Sequence, residues 1–162
     1  LKPSLFHARI PEENGMKIDK ILFPTDFSTA ADQAFESATF LADTHNAELI
    51  LLHVVDQVYG FDQYEILALT PIEIAEKLDK HAHQKMQALV DRVKGRVTAT
   101  ETVREGSTWE VICDTAKEEN ADIIVMASQG RTGLSHALIG SVAEKVARHA
   151  SCPVLIVRDQ RT

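Results

Sequence analysis

The sequence predicts a single α/β domain, a doubly wound, five-stranded, mainly parallel sheet carrying four helices, of the Rossmann-like class. Three observations predict it. Short aliphatic runs of strand length recur along the chain, segments with helical spacing of small and apolar residues separate them, and the alternation yields five strands with four crossovers. The 162 residues suffice for one well-buried core and fall short of two ordinary domains with a linker.

The elements follow in chain order. Leu1 to Gly15 mix Pro3, Pro11, Glu12, Glu13 and Asn14 without periodicity, so residues 1–15 are read as an N-terminal extension outside the fold and 16–162 as the domain. Ile18 to Phe23 is an apolar run ended by Pro24, the first strand. From Thr29 to His45, Ala31, Ala34, Phe35, Ala38, Leu41 and Ala42 recur at helical spacing behind Ser28 as N-cap. Leu49 to Val55 is almost wholly aliphatic, as a strand covered on both faces should be. Thr70-Pro71-Ile72-Glu73 joins a capping-box pattern to Pro at the first helical position, and one apolar face then runs from Ala75 through Leu78, Ala82, Met86, Leu89, Val90 and Val93 to Gly95. Val97 to Val103 alternates partly and reads as a weaker, more exposed strand. Ser107-Thr108-Trp109-Glu110 opens a third helix reaching about Asn120, and Ser141-Val142-Ala143-Glu144 opens a fourth. Ile123 to Ala127 and Val154 to Val157 complete the strands.

Composition narrows the function classes. The chain is 44% hydrophobic and 25% charged with seven Gly and five Pro, close to the globular average. A net charge of −7 argues against sequence-independent binding to nucleic acid or an anionic membrane, and an anionic ligand would need a local positive site. No apolar run reaches membrane-span length and the opening segment lacks a secretory-type hydrophobic core, so a cytoplasmic location is expected. Cys113 and Cys152 are too few for a disulfide framework and are expected to be free, buried thiols in a reducing compartment.

In a doubly wound sheet ligands sit beyond the carboxyl ends of the strands, where the strand order reverses. The segments to inspect are Pro24-Thr25-Asp26, Val54-Val55-Asp56, and Ala127 to Ser141. The last holds Gly130, Arg131, Thr132, Gly133 and Gly140 ahead of a helix. Glycines allow close backbone approach, and first-turn helix amides lack internal partners, so such a loop can cradle phosphate, with Arg131 and the Thr132 and Ser141 hydroxyls as further donors. Spacing alone equally allows a simple turn followed by a Ser141/Glu144 capping box.

These residues carry a resemblance. The stretch IIVMASQGRTGLSHALIGSVAEKV with the terminal CPVLIV, together with ILFPTDFS at 21–28 and ILLHVVD at 50–56, resembles the universal stress protein family over Met16 to Val157. Nucleotide-binding members carry Gly-x2-Gly-x9-Gly-Ser/Thr, which falls here on Ala127, Gly130, Gly140 and Ser141, with Ala127 replacing the first Gly. A left-handed conformation at Ala127 would cost about 1–2 kcal/mol, whereas an extended one costs little.

The resemblance implies ATP, or another adenine nucleotide, as ligand, with Mg or Mn accompanying it through Asp26 or Asp56. It implies that Pro24, Thr25 and Asp26 border the adenosine, that Val54 presents its backbone to adenine, and that Met126 and Ala127 line base and ribose. Gly130, Arg131, Gly140, Ser141 and Val142 would surround the phosphates. Read without the resemblance, Asp26 is equally a local helix-capping residue two positions before Ser28.

The leading reading is a cytoplasmic, ATP-binding, nucleotide-responsive dimer. Two alternatives stand beside it: a slow ATPase or phosphotransferase with Ser141 or a neighbouring hydroxyl as acceptor, and a dimeric interaction module whose site has lapsed. The final strand, Val154 to Val157, is expected at a sheet edge, where four aliphatic residues without a charge invite antiparallel pairing with a second copy, as the resemblance also implies.

Other chemistry finds little support. P-loop, GxGxxG and GxSxG patterns are absent. His81 and His83, two apart on a helix, point to different sides and make poor metal ligands. His53, within an aliphatic strand, reads as a hydrogen-bonded core histidine, and Trp109 and the aromatic segment Tyr59 to Tyr64 as packing residues.

Overall fold

The computed structural model describes residues 17–55, 71–130 and 139–158, and the side chains of 71–78 are not considered. The extension at 1–15 lies outside the described residues. So do Asp56, Tyr59 to Tyr64, Thr70, Arg131, Thr132 and Gly133.

The element order is β1 (Lys20–Pro24), α1 (Thr29–His45), β2 (Glu48–Val55), α2 (Pro71–Val93), β3 (Ala99–Glu105), α3 (Thr108–Glu118), β4 (Ile123–Ala127), α4 (Ser141–His149) and β5 (Val154–Val157). The strands form one sheet in the order β3-β2-β1-β4-β5, and all four pairings are parallel. The α/β fold class expected from the alternating pattern is therefore the observed one. Strand β5 occupies an edge, as anticipated, and β3 the other.

Alternate residues of the central strands face opposite layers. Ile21, Phe23, Leu49, Leu51, Ile123 and Val125 pack with Ala34, Phe35 and Ala38 of α1 and Met86 and Val93 of α2. Leu22, Ile50, Leu52, Ile124 and Met126 pack with Ile112 and Ala116 of α3 and Ala143 and Val146 of α4. Burial on both faces is why β1, β2 and β4 are nearly unbroken aliphatic runs. Edge strand β3 carries no fully buried residue and has charged Glu101, Arg104 and Glu105, which accounts for its weaker pattern.

Helix ends depart from the expectations in two places. Ser28 caps α1 through its hydroxyl, accepting from Ala31 N at 3.1 Å. Ser107 precedes α3 without a side-chain cap bond, so the capping box expected there is not formed. The N-cap of α4 is Gly140, with Ser141 already the first helical residue, so Ser141 does not head a capping box either. The thiols of Cys113 and Cys152 are free, and half-buried rather than buried.

Candidate functional site

The sheet order reverses between β1 and β4: from β1 the chain builds outward to β2 and β3, then crosses back to β4 and β5. The two strands at this switch point part early. Their ladder pairs Ile21 with Ile123 and Leu22 with Ile124 and goes no further, while β1 stays with β2 to Pro24–Leu52 and β4 stays with β5 to Ala127–Val157. Pro24 has no amide hydrogen to offer, and Thr25 N turns to Leu52 O at 2.8 Å. In a doubly wound sheet such a switch point is where a crevice opens beyond the strand ends; here Pro24, Thr25 and Asp26 lie on the β1 side of it and Met126, Ala127 and Ser128 on the β4 side.

The β1 wall is a tight turn. Thr25, 8% exposed, accepts at its hydroxyl from Phe27 N at 3.0 Å, and its carbonyl accepts from His53 Nδ1 at 2.8 Å. Asp26 Oδ1 accepts from Ser28 N at 3.0 Å, an Asx-type turn that feeds the cap of α1. Its other carboxylate oxygen faces across the crevice: a Cβ added to Gly130 would lie 2.7 Å from Asp26 Oδ2. Of the two readings left open for Asp26, the local one is realised, since Oδ1 holds the turn into α1, while Oδ2 is set against Gly130.

The opposite wall supplies backbone. Ser128, 8% exposed, is tied to β5 through its N–H to Val157 O at 2.8 Å, and its carbonyl accepts from Gly140 N at 2.7 Å. That second bond joins the end of β4 to the N-cap of α4. A Cβ on Gly140 would meet Ser128 O at 3.1 Å, a tight contact that the neighbouring backbone would have to relieve by a few tenths of an ångström. Gly140 is extended, at φ −65° and ψ 154°, and neither it nor Gly130 has the positive φ that glycine alone accepts freely. Ser141 and Val142 follow as the first two helical residues, and the N-cap glycine has no side chain with which to satisfy their amides. A helix start of this kind, aimed at a crevice, favours an anion.

The remaining candidates are placed as follows. Ala127 is the last residue of β4 and extended, so its Cβ carries no left-handed strain; it packs against the core shared with α1 and α2. Met126, 6% exposed, points to the other face. Val54 is half-buried near the end of β2, paired with Arg104 of β3, and packs against the same layer as Met126. Arg131 lies outside the described residues. Positive charge near the turn comes from Lys85 of α2, whose Nζ sits 5.1 Å above the Phe27 ring.

One residue here escaped the sequence reading, and a second has a partner that the reading did not name. Phe27 adopts the left-handed conformation at φ 61°, rare for a bulky side chain, and its ring lies on His53 at 4.4 Å between centroids. Nothing in ILFPTDFS marks that position, since no Gly or Asn occupies it. His53, read as a hydrogen-bonded core histidine, is half-buried and hydrogen-bonded, and the bond goes to the Thr25 carbonyl.

Elsewhere, a polar hollow lined by Asp19, Asn46, Glu48, Arg96 and Thr98 lies at the amino ends of the strands, where Arg96 is held by Asp43 at 3.1 Å. It gathers none of the candidate residues. His83 sits between Asp79, at 3.5 Å, and Glu101, at 3.1 Å. Among the described residues no group of three His, Cys, Asp or Glu is arranged to hold a metal, and no helix is long and apolar enough to cross a membrane.

The fold has counterparts in known proteins. Universal stress protein MJ0577 of Methanocaldococcus jannaschii is 32% identical over 152 residues, covering 86% of this chain and 94% of that protein. Its solved structure superposes with a TM-score of 0.79 over 90% of this chain and 99% of that one. Two more distant structures share the fold. One is a universal stress protein in complex with cAMP (22% identity, TM-score 0.67, covering 88% of this chain and 98% of that one). The other is an Arabidopsis thaliana family protein with AMP bound (21% identity, TM-score 0.60, covering 88% and 93%). The family model described as "Universal stress protein family" matches residues 17–158, and the chain belongs to that family.

Proposed function

We propose that this chain binds an adenine nucleotide, ATP first, in the crevice between the carboxyl ends of β1 and β4, and works in the cytoplasm as a nucleotide-responsive dimer. The observation that carries the reading is the parting of β1 from β4 after Leu22–Ile124, with Gly130 against Asp26 on one side and the start of α4 on the other. The residues fit the ligand. Extended Gly140 brings Ser141 and Val142 amides to the crevice without a capping side chain, which suits phosphate oxygens. Gly130 leaves room where a Cβ would crowd, and Arg131, next in sequence, carries a positive charge suited to phosphates. Asp26 suits a ribose hydroxyl, or a Mg or Mn ion brought by the phosphates, and Asp56 is the second carboxylate of that reading. Pro24, Thr25, Val54, Met126 and Ala127 shape the adenosine side.

Binding rather than turnover is the reading because phosphoryl transfer needs a positioned nucleophile and charge stabilisation together. Among the described residues of the crevice, the ring nitrogen of His53 bonded at Nδ1 is committed to a backbone carbonyl. Homodimerisation through β5 belongs to the same proposal. Edge strand VLIV has one ladder with β4, leaving its outer backbone for a partner strand, and Leu155 is 39% and Phe40 of α1 64% exposed beside it. Mass spectrometry of small molecules released from freshly purified, denatured protein tests the ligand. Adenine nucleotide in near-stoichiometric amount is the expected result; another ligand class would redirect it.

A further inference from the structure

Phe27 poses a specific question. The other two non-glycine residues with positive φ among the described residues, Asn46 and Asn120, are of a type that tolerates it, while a phenylalanine does so only when its surroundings hold it. What holds Phe27 is visible. Its N–H donates to Thr25 Oγ1 at 3.0 Å, its ring rests on the His53 imidazole at 4.4 Å with planes inclined by 37°, and Lys85 Nζ lies 5.1 Å above the ring. His53 also reaches past the ring to Thr25: a carbonyl only accepts, so Nδ1 carries the proton and donates it at 2.8 Å. The register explains the reach. Leu52 pairs with Pro24, so His53 is the next residue of β2, beside Thr25, where β1 has stopped being a strand.

We propose that His53 is a positioning residue for the crevice: through the Thr25 carbonyl and the Phe27 ring it locks the 25–28 turn, and so fixes the Asp26 carboxylate opposite Gly130. Asp26 is bracketed by the two residues His53 holds, and its Oδ1 bond to Ser28 N depends on that turn. A role limited to filling the core would need only the ring; this geometry uses the donor as well. The consequence for nucleotide affinity rests on the function proposed above, whereas the locking of the turn does not.

Three variants of the full chain separate the two contacts. His53→Phe keeps a ring and loses the donor. His53→Asn loses the ring but places an amide donor the same number of bonds from the backbone as Nδ1, and His53→Ala loses both. Two quantities are read, ATP affinity by calorimetry and backbone amide exchange of Phe27 and Ser28 by NMR in nucleotide-free protein, with Tm as the check on folding. A lost neutral hydrogen bond is worth about tenfold or somewhat less. The proposal expects His53→Phe to weaken ATP by about tenfold and speed both amides by a similar factor, His53→Ala to do more, and His53→Asn to stay within about threefold of the parent. Should His53→Ala fail to fold, the Phe and Asn variants decide. Unchanged exchange in His53→Phe overturns the proposal, as does raised exchange with ATP affinity intact. If the parent chain binds no ATP, the nucleotide reading fails, and the amide exchange of the variants still tests whether His53 holds the turn.

Discussion

Gly130→Ala is the sharpest single perturbation of the crevice. The new Cβ would sit 2.7 Å from Asp26 Oδ2, so the carboxylate must withdraw by roughly 0.7 Å to reach ordinary contact. Because Gly130 lacks a positive φ, the backbone itself accepts alanine, and the loss of glycine freedom in the unfolded chain stabilises by about 0.4–1 kcal/mol. Against that, turning Asp26 away weakens its bond to Ser28 N, worth about 1 kcal/mol at this half-buried position. The two terms nearly cancel in stability. They do not cancel in binding, where the methyl narrows the approach to the loop and displaces the carboxylate, a loss of about tenfold, or 1.4 kcal/mol. Calorimetric titration with ATP and urea unfolding on the same sample measure both. In an Asp26→Ala background the methyl has nothing to displace, so Gly130→Ala should add little there, a coupling of about 1 kcal/mol in the double-mutant cycle. Parent-like ATP affinity in Gly130→Ala, or equal losses in both backgrounds, would refute the claim that the two residues confront each other across the site.

Four further outcomes are expected. Gly140→Ala should destabilise by about 1–2 kcal/mol in urea and weaken ATP, since its Cβ meets a backbone carbonyl at 3.1 Å and alanine is a poor N-cap. Ala127→Gly should leave ATP affinity within about twofold while costing about 0.5–1 kcal/mol of stability, because an extended strand residue gains nothing from glycine. Replacing Leu155 and Val157 by Lys should shift the protein to monomer in sedimentation at tens of micromolar, where the parent should be dimeric. Burial pushes the Cys113 and Cys152 thiols up, with Asp114 adding to the first and Asp122 to the second. The folded state thus favours the protonated form, and that stability is present below the ordinary thiol range and lost as pH rises through the raised values. Iodoacetamide should therefore label both more slowly at neutral pH than a free model thiol, with the difference gone in urea.

What the sequence disclosed tracks what is local. Ile123 to Ala127 and Val154 to Val157 coincide with β4 and β5, because aliphatic runs between turn residues have one structural outcome in an α/β chain. At β3 the expected Val97 to Val103 becomes Ala99–Glu105: Val97 is buried ahead of the ladder, and the polar strand that follows had no apolar run to mark it. The capping boxes at Ser107 and Ser141 failed for a different reason. The pattern states only that a serine can cap: Ser107 stands at the N-cap of α3 without using its side chain, and at α4 the Ser128–Gly140 bond gives the cap position to glycine.

The site was legible in its parts and not in its assembly. Its glycine-to-helix segment shows in the spacing. The parting of β1 from β4 does not, since it depends on which strands are neighbours. The turn at 25–28 depends on His53, 28 residues from Thr25, and on Gly130 across the sheet, so no window around Asp26 could reveal its two-sided role.

Adenine-nucleotide binding in this crevice is open to direct measurement. Isothermal titration of the purified full chain, stripped of any ligand, with ATP and Mg should show saturable binding with Kd roughly in the micromolar range, about −8 kcal/mol. The absence of binding at millimolar ATP would contradict it.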